Sequence, residues 1–246
     1  MPLELNALET ARFGIVAAHL TDPADLTAAN AAADEHGVRM VTARIDADDL
    51  HTAHRLEADG YRLMDTLVYY GRPVADRPER RVPPGVVIRR AGPDDVHAVG
   101  AIARLAFHDY VGHFHADPRL DDEAADAAYV EWAETSTTNI QPDRPVLLGC
   151  GDDDILGFLT LRDVGERTAE IVLNAVDPAH QGRGLYAALV REALHAAGEA
   201  GTEHLIVSTQ INNYGVQRVW SRLGLVHERS LYTFHKWFDR DDSTAS

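Results

Sequence analysis

The stretch Val176-Asp-Pro-Ala-His-Gln-Gly-Arg-Gly-Leu-Tyr186 limits what this chain can become more than any other part of it. It follows the apolar run Ile171-Val-Leu-Asn-Ala-Val176 and leads into Ala187-Ala-Leu-Val-Arg-Glu-Ala-Leu-His-Ala-Ala197. That order predicts a strand, a short glycine loop and an amphipathic helix, the building unit of an α/β fold. Glycine lets backbone N–H groups come close to a ligand, and the start of a helix carries unpaired donors and partial positive charge. Such a junction suits a pyrophosphate. It also has to do so locally, because the formal net charge of −16 gives the chain no general attraction for phosphate.

The same charge argues against sequence-independent binding to nucleic acid or to anionic membranes, which calls for a basic face. Cys150 is the only cysteine, so no intrachain disulfide can form and a reducing cytoplasm is the expected location. Glu4 and Glu9 stand where a signal peptide would be positive, the apolar run Phe13 to Leu20 is short, and no stretch approaches membrane-spanning length.

Along the chain, residues 1–71 read as a small α/β domain, with a strand from Arg12 to Leu20 and a helix from Asp22-Pro23 to Glu35. A strand Val38–Ile45 follows, then a helix capped by Asp48 and running from Asp49 to Asp59, and a strand Leu63–Tyr70. His51 and His54 share a helix face without a carboxylate or cysteine partner, the pattern of solvated histidines. Residues 72–85 hold Pro73, Pro78, Pro83 and Pro84 among charges, the composition of a linker. Residues 86–246 form the second domain. It opens with a strand to Arg89, a helix from Pro93 to Phe107, a loop rich in aromatic and histidine residues, and a helix from Asp121 to Thr135. A hairpin turning at Gly151–Asp154 follows, then the glycine junction, a strand from His204 to Thr209, a helix from Asn213 to Arg222 and a strand from Leu231 to Trp237. The polar tail from Asp239 is expected to fray.

Gly182-Arg-Gly-Leu-Tyr-Ala187 fits the dinucleotide fingerprint G-x-G-x-x-A, but two details oppose a nicotinamide or flavin. Asp177 to Gln181 separate it from its strand, and the next strand ends Ser208-Thr-Gln210 where an acidic residue should meet the ribose. Val176-Asp-Pro followed by Gln181-Gly-Arg-Gly-Leu and a helix instead resembles the acetyl-CoA motif of the GNAT (Gcn5-related) N-acetyltransferases. Asn213-x-x-Val216-x-x-x-Trp220-x-x-Leu223-Gly224-Leu225 resembles that superfamily's second motif, and the likeness covers roughly residues 86–237. Within the superfamily the chain is most similar to the two-domain dTDP-fucosamine acetyltransferases, which acetylate a 4-amino-4,6-dideoxy sugar on a nucleotide. The features that carry this are Phe13-Gly14 in the small domain, the loop from Phe107 to Arg119, and Ser208-Thr-Gln210.

The resemblance implies a mixed, mostly antiparallel sheet flanked by helices, with one splayed strand pair, preceded by the small α/β domain. It implies acetyl-CoA as co-substrate, no metal, and a small-molecule amine as acceptor. Asn174, Val176 and Asn213 would line the pantetheine arm, and Gln181, Gly182, Arg183, Gly184, Leu185 and Tyr186 would wrap the pyrophosphate. The family's usual glutamate base is replaced by Val172, which leaves Glu170, two residues earlier on the same face, as the candidate. Its usual tyrosine acid is replaced by Trp220, which leaves Tyr214 as the first candidate, with Tyr186 and Tyr232 behind it. Tyr110, His113, His115 and Arg119, with Asp117, are the candidate acceptor-binding group; His113-x-His115-x-Asp117 also has metal-ligand spacing. Two other functions stay open. One is acetylation of an amino acid, antibiotic or protein amine. The other is an acyl-CoA-binding sensor without turnover. The oligomeric state stays open too, with a homodimer as one option.

Overall fold

The computed structural model describes residues 2–108, 110–141, 144–152 and 154–239. In chain order its elements are β1 (Leu3–Leu5), α1 (Ala7–Phe13), β2 (Ala17–Leu20), α2 (Leu26–Glu35), β3 (Met40–Asp46), α3 (Leu50–Ala58) and β4 (Arg62–Pro73). They continue with β5 (Val87–Arg90), α4 (Val96–Phe107), α5 (Asp122–Thr138), β6 (Val146–Cys150), β7 (Ile155–Gly165), β8 (Thr168–Val176), α6 (Leu185–Glu199), β9 (His204–Gln210), α7 (Tyr214–Arg222) and β10 (Val226–Trp237). Among the described residues no helix is long and apolar enough to cross a membrane.

These elements form two compact units, and neither is continuous in sequence. The first combines Met1–Leu67, Val111–Ala125 and Arg229–Ser246; the second combines Val68–Tyr110 and Asp126–Glu228. A division at 72–85 therefore describes only part of the first unit, because the last strand returns to it. β10 runs antiparallel to β3 with Leu231 opposite Asp46, His235 opposite Thr42 and Trp237 opposite Met40. β2 lies parallel to β3 on the other side, and β1 pairs antiparallel with β2. One face of this sheet packs Val41, Ala43, Ile45 and Phe234 against Leu26, Ala29 and Ala33 of α2 and Leu56 of α3. The other face carries Thr42, Arg44, Thr233 and His235, as two-residue alternation requires.

Helix boundaries in the first unit follow side-chain caps. Asn6 Oδ1 accepts from the Glu9 N–H at 3.1 Å, and Gly14 ends the helix at φ 65°. These local signals outweigh the apolar run, so α1 occupies Ala7–Phe13 and the strand expected from Arg12 begins only at Ala17. The cap of α3 is Asp49, one residue later than expected, and α2 starts at Leu26 behind its cap Asp25.

In the second unit the sheet order is β4-β9-β8-β7-β6-β5. β5 through β8 are antiparallel neighbours, and β8 and β9 are parallel. One face packs Leu147, Leu159, Ile171, Val176 and Val207 beneath α6 and Trp220. The opposite face packs Leu148, Phe158, Leu173 and Ala175 against Val99, Ile102 and Phe107 of α4. The proline-rich stretch after β4 does not run free. Val74 is buried in the α6 face, its N–H donates to Glu203 O at 2.8 Å, and Arg80 binds Glu192 and Glu199 of α6 at 2.8 and 2.7 Å. At the hairpin between β6 and β7 the Gly151 N–H donates to Asp154 O, while Asp153 lies outside the described residues, as does the tail beyond Asp239.

Candidate active site

The parallel pair β8–β9 opens partway along its length. Thr168, Ala169, Glu170 and Ile171 pair with His204, Leu205, Ile206 and Val207, and there the ladder ends, although β8 continues to Val176 and β9 to Gln210. The cause is a bulge on the other side of β8. Leu159 faces Asn174 and Leu161 faces Ile171, so Thr160 alone opposes both Val172 and Leu173. The buried Thr160 hydroxyl closes the irregularity, donating to Leu173 O at 3.2 Å and accepting from the Leu173 N–H at 2.9 Å. A one-residue insertion turns the following side chains to the other face. Ile171 accordingly lies in the α6 core while Leu173 lies in the α4 core. Beyond the bulge β8 bends away from β9 and leaves strand-edge backbone facing a gap. Gly157, opposite Val176, leaves the bent end its room, because a Cβ there would lie 2.8 Å from Ala175 O.

The glycine junction sits at the end of β8. A one-turn 3₁₀ segment, Pro178–His180, is capped by Asp177, whose Oδ1 accepts from the Ala179 N–H at 2.8 Å. Gln181 then turns back and donates from Nε2 to Val176 O at 3.2 Å, tying the loop to the strand end. Gln181 thus works as a strut, and the loop's main chain is left to meet a ligand. Gly182 and Gly184 have φ of 74° and 87°, and Gly184 caps α6 with no side-chain bond to its first turn. The leading N–H groups of α6 have no intrahelical acceptor and point out of the helix beside the exposed Arg183. Leu185 is buried and anchors the turn. Asn213 occupies the cap position of α7 but makes no cap bond; its Nδ2 donates to Thr209 Oγ1 of β9 at 3.1 Å.

The proton-transfer candidates fall in different places. Glu170 is buried in the closed part of β8–β9 and is bound by Arg162, whose Nη2 and Nε reach Oε2 at 2.6 and 2.9 Å. The bulge falls after Val172, so it turns the side chains from Leu173 onward and not Glu170. Tyr214 opens α7 and is 61 % exposed. Trp220 is fully buried, and its Nε1–H donates to Tyr186 Oη at 2.8 Å. The hydroxyl bonded to Trp220 therefore comes from the first turn of α6. Tyr232 belongs to the first unit, packed against Phe234 and the core beneath α2.

The candidate acceptor group is divided between the units. Tyr110 packs edge-on against Phe107 and Tyr129 in the second unit. His113, His115 and Arg119 belong to the first. There Asp117 Oδ2 accepts from His235 Nδ1 and Trp237 Nε1, both at 2.8 Å, and His235 Nε2 meets His113 Nδ1 at 2.9 Å. His113 Nε2 in turn faces Arg44 Nη2 at 3.4 Å. With a carboxylate at one end and a guanidinium at the other, every contact is satisfied when each imidazole carries its proton on Nδ1. Burial first, then Arg44 and the neighbouring histidines, hold the His113 pKa well below its ordinary value, in keeping with a neutral ring. Burial would raise Asp117, but the bonds from His235, Trp237 and the Arg119 N–H carry it below the usual range. Arg119 pairs with Asp239 at 2.6 Å and stacks over the Trp237 ring at 4.3 Å. His115 Nδ1 accepts from the Gly112 N–H at 3.3 Å. His235 and Trp237 escaped sequence reading; the one available sign was that Thr233, His235 and Trp237 alternate onto one face of the last strand. Among the described residues no group of three or more His, Cys, Asp or Glu side chains converges to hold a metal.

Glu9 lies beside this network, with His19 Nε2 3.7 Å from its Oε1. Burial outweighs the attraction of Arg44 and Arg12 and raises its pKa from 4.5 to about 7. A carboxyl whose folded pKa exceeds its unfolded value stabilises fully below pH 4.5 and loses that contribution as pH rises to about 7. His19 and His113, lowered chiefly by burial, change stability in the opposite sense as pH approaches 6.5. We expect Glu9→Gln to cancel the first trend alone. The difference in unfolding free energy between variant and wild type should grow by about 3 kcal/mol between pH 4.5 and 7.5. Urea titrations at several pH values would read it, and a flat difference would refute the assignment.

The profile described as the acetyltransferase (GNAT) family matches residues 101–225. The chain is 27 % identical to dTDP-fucosamine acetyltransferase of Escherichia coli O6:H1 over 230 residues, covering 93 % of this chain and 95 % of that protein. It is 22 % identical to the spore coat polysaccharide biosynthesis protein SpsD of Bacillus subtilis, covering 80 % of this chain and 66 % of that one. Among solved structures, a GCN5-related N-acetyltransferase from Sphaerobacter thermophilus superposes with a TM-score of 0.68 at 16 % identity, covering 99 % of this chain and 79 % of that one.

Proposed function

The chain belongs to the acetyltransferase (GNAT) family and is an acetyl-CoA-dependent N-acetyltransferase, and from that premise we propose that its acceptor is the primary amine of a nucleotide-linked amino sugar. The observation that carries the site is the end of β8–β9 pairing at Ile171–Val207, while β8 runs on unpaired on that side to Val176 and into the glycine loop. A gap between parallel strands offers backbone groups to an extended amide-containing arm, and the loop at its mouth offers N–H groups to a pyrophosphate. The residues present therefore fit the co-substrate. Backbone of Asn174 and Val176 with the side chain of Asn213 would hold the arm. The main chain from Gly182 to Tyr186, with Arg183, would hold the diphosphate, and Gln181 would keep the loop in register.

Acetyl-CoA supplies an acetyl thioester whose sulfur leaves as the amide forms. The protein has to present a neutral amine and a proton for that sulfur. A sugar amine loses its proton more readily than a lysine side chain, so the engagement of Glu170 with Arg162 is compatible with transfer. The sugar-nucleotide assignment is supported by likeness to the dTDP-fucosamine enzyme along nearly its whole length, which includes the first unit. A cytoplasmic site of action accords with the lone cysteine and with the supply of acetyl-CoA. Thiol release should be measured with a dTDP-linked 4-amino-4,6-dideoxyhexose, free amino acids, an aminoglycoside and a lysine peptide. The sugar nucleotide is expected to give a kcat/KM at least about tenfold above the others, a margin of about 1.4 kcal/mol. Preference for another amine would overturn the acceptor assignment, and tight binding of acetyl-CoA without release on any amine would indicate a sensor.

A further inference from the structure

We propose that Tyr186, anchored through the indole of Trp220, is the group that protonates the departing sulfur. The assignment deepens the reading of the β8–β9 gap as the thioester's place and rests on it. Tyr186 lies in the first turn of α6, two residues after Gly184, and packs on the core cluster that contains Val176, Val207 and Trp220. Val176 ends β8 and Val207 is in the last β8–β9 pair, so Tyr186 packs on a cluster to which both strands flanking the gap contribute.

The direction of the Trp220 bond decides what Tyr186 can do. An indole N–H donates and cannot accept, so at 2.8 Å the phenol oxygen is the acceptor and its own proton is not spent on Trp220. Among the described residues no acceptor takes that proton. Trp220 is fully buried, and Tyr70 packs on its ring at 5.4 Å, so the anchor is held on its far side. Burial, reinforced by the nearby Tyr110, raises the Tyr186 pKa above the ordinary tyrosine range and keeps the group protonated at working pH. The Trp220 bond acts the other way and stabilises the phenolate once it forms. Tyr214 has no such support, standing 61 % exposed at the outer end of α7.

The balance closes without a further reagent. The amine nitrogen forms a bond to the acetyl carbon and the carbon–sulfur bond breaks. The sulfur takes the Tyr186 proton and leaves as a thiol, and the proton lost by the nitrogen restores the phenol. Net, amine and thioester become amide and thiol.

The test uses the full chain with Tyr186→Phe, and the double variant Tyr186→Phe/Trp220→Phe, which leaves no orphaned indole N–H if the single variant folds poorly. We expect kcat to fall about 100-fold in either, while acetyl-CoA affinity by calorimetry stays within about threefold. In the ligand-free protein, an alkaline absorbance titration should lose one phenol that ionises above the ordinary tyrosine range. Unchanged kcat, or a titration in which no high-ionising phenol disappears, would overturn the assignment. Failure of the wild type to bind acetyl-CoA would instead strike the reading of the gap itself, and with it this proposal.

Discussion

Gly184→Glu is expected to reduce acetyl-CoA affinity at least about 100-fold, a loss of about 2.7 kcal/mol, without unfolding the protein. Gly184 has φ 87°, a region that costs an L-residue about 1–2 kcal/mol. Space is not the obstacle, since an added Cβ would meet nothing nearer than Pro83 Cγ at 3.9 Å. The effect comes from charge. A carboxylate at the cap of α6 would occupy the donors and the positive end of the helix that a diphosphate needs, and would repel it. Gly184→Ala carries the backbone strain without the charge and is the proper reference. Calorimetric titration of both variants, with thermal unfolding as the check on folding, separates the two terms. If the glutamate variant binds within about threefold of the alanine variant, the loop does not hold the diphosphate.

Asp117→Ala should cost the protein about 3–5 kcal/mol, among the larger effects a single substitution can have. Asp117 is 2 % exposed and accepts from His235 Nδ1, Trp237 Nε1 and the Arg119 N–H. Alanine would leave these donors without an acceptor and remove the anion that orders both histidines towards Arg44. Asp117→Asn keeps an acceptor oxygen and should lose roughly half as much. Urea unfolding of the full chain measures the loss, and Trp237 emission reports it locally through the broken indole bond. A change below about 1 kcal/mol for the alanine variant would show that the network is not holding the first unit.

What could be read from the residues, and what could not, divides by range. β8, the glycine loop and α6 are local in sequence, and their glycines, apolar run and helix periodicity all point the same way. The bulge at Thr160 was not legible, because Leu159-Thr-Leu161 alternates normally and the irregularity exists only in pairing with Val172 and Leu173. α1 was hidden by the apolar run after Arg12, although Asn6 and Gly14 marked its two ends. The composition of the loop around His113 suggested a polar site, yet its partners His235 and Trp237 lie more than a hundred residues downstream. The bond between Trp220 and Tyr186 was hidden because the two side chains come from different helices.

The pairing of β10 with β3 has a consequence for the order in which the molecule assembles. Until Leu231–Trp237 leave the ribosome, the edge of β3 that they cover stays open, with its backbone donors and acceptors unpaired. His113 and Asp117 wait for the same seven residues to complete their bonds. The usual sequence of domain folding during synthesis, earliest residues first, is thereby reversed for this unit. The second unit, whose strands from β5 to β9 are all made earlier, can close first. Residues at the start of the chain finish folding after those in the middle.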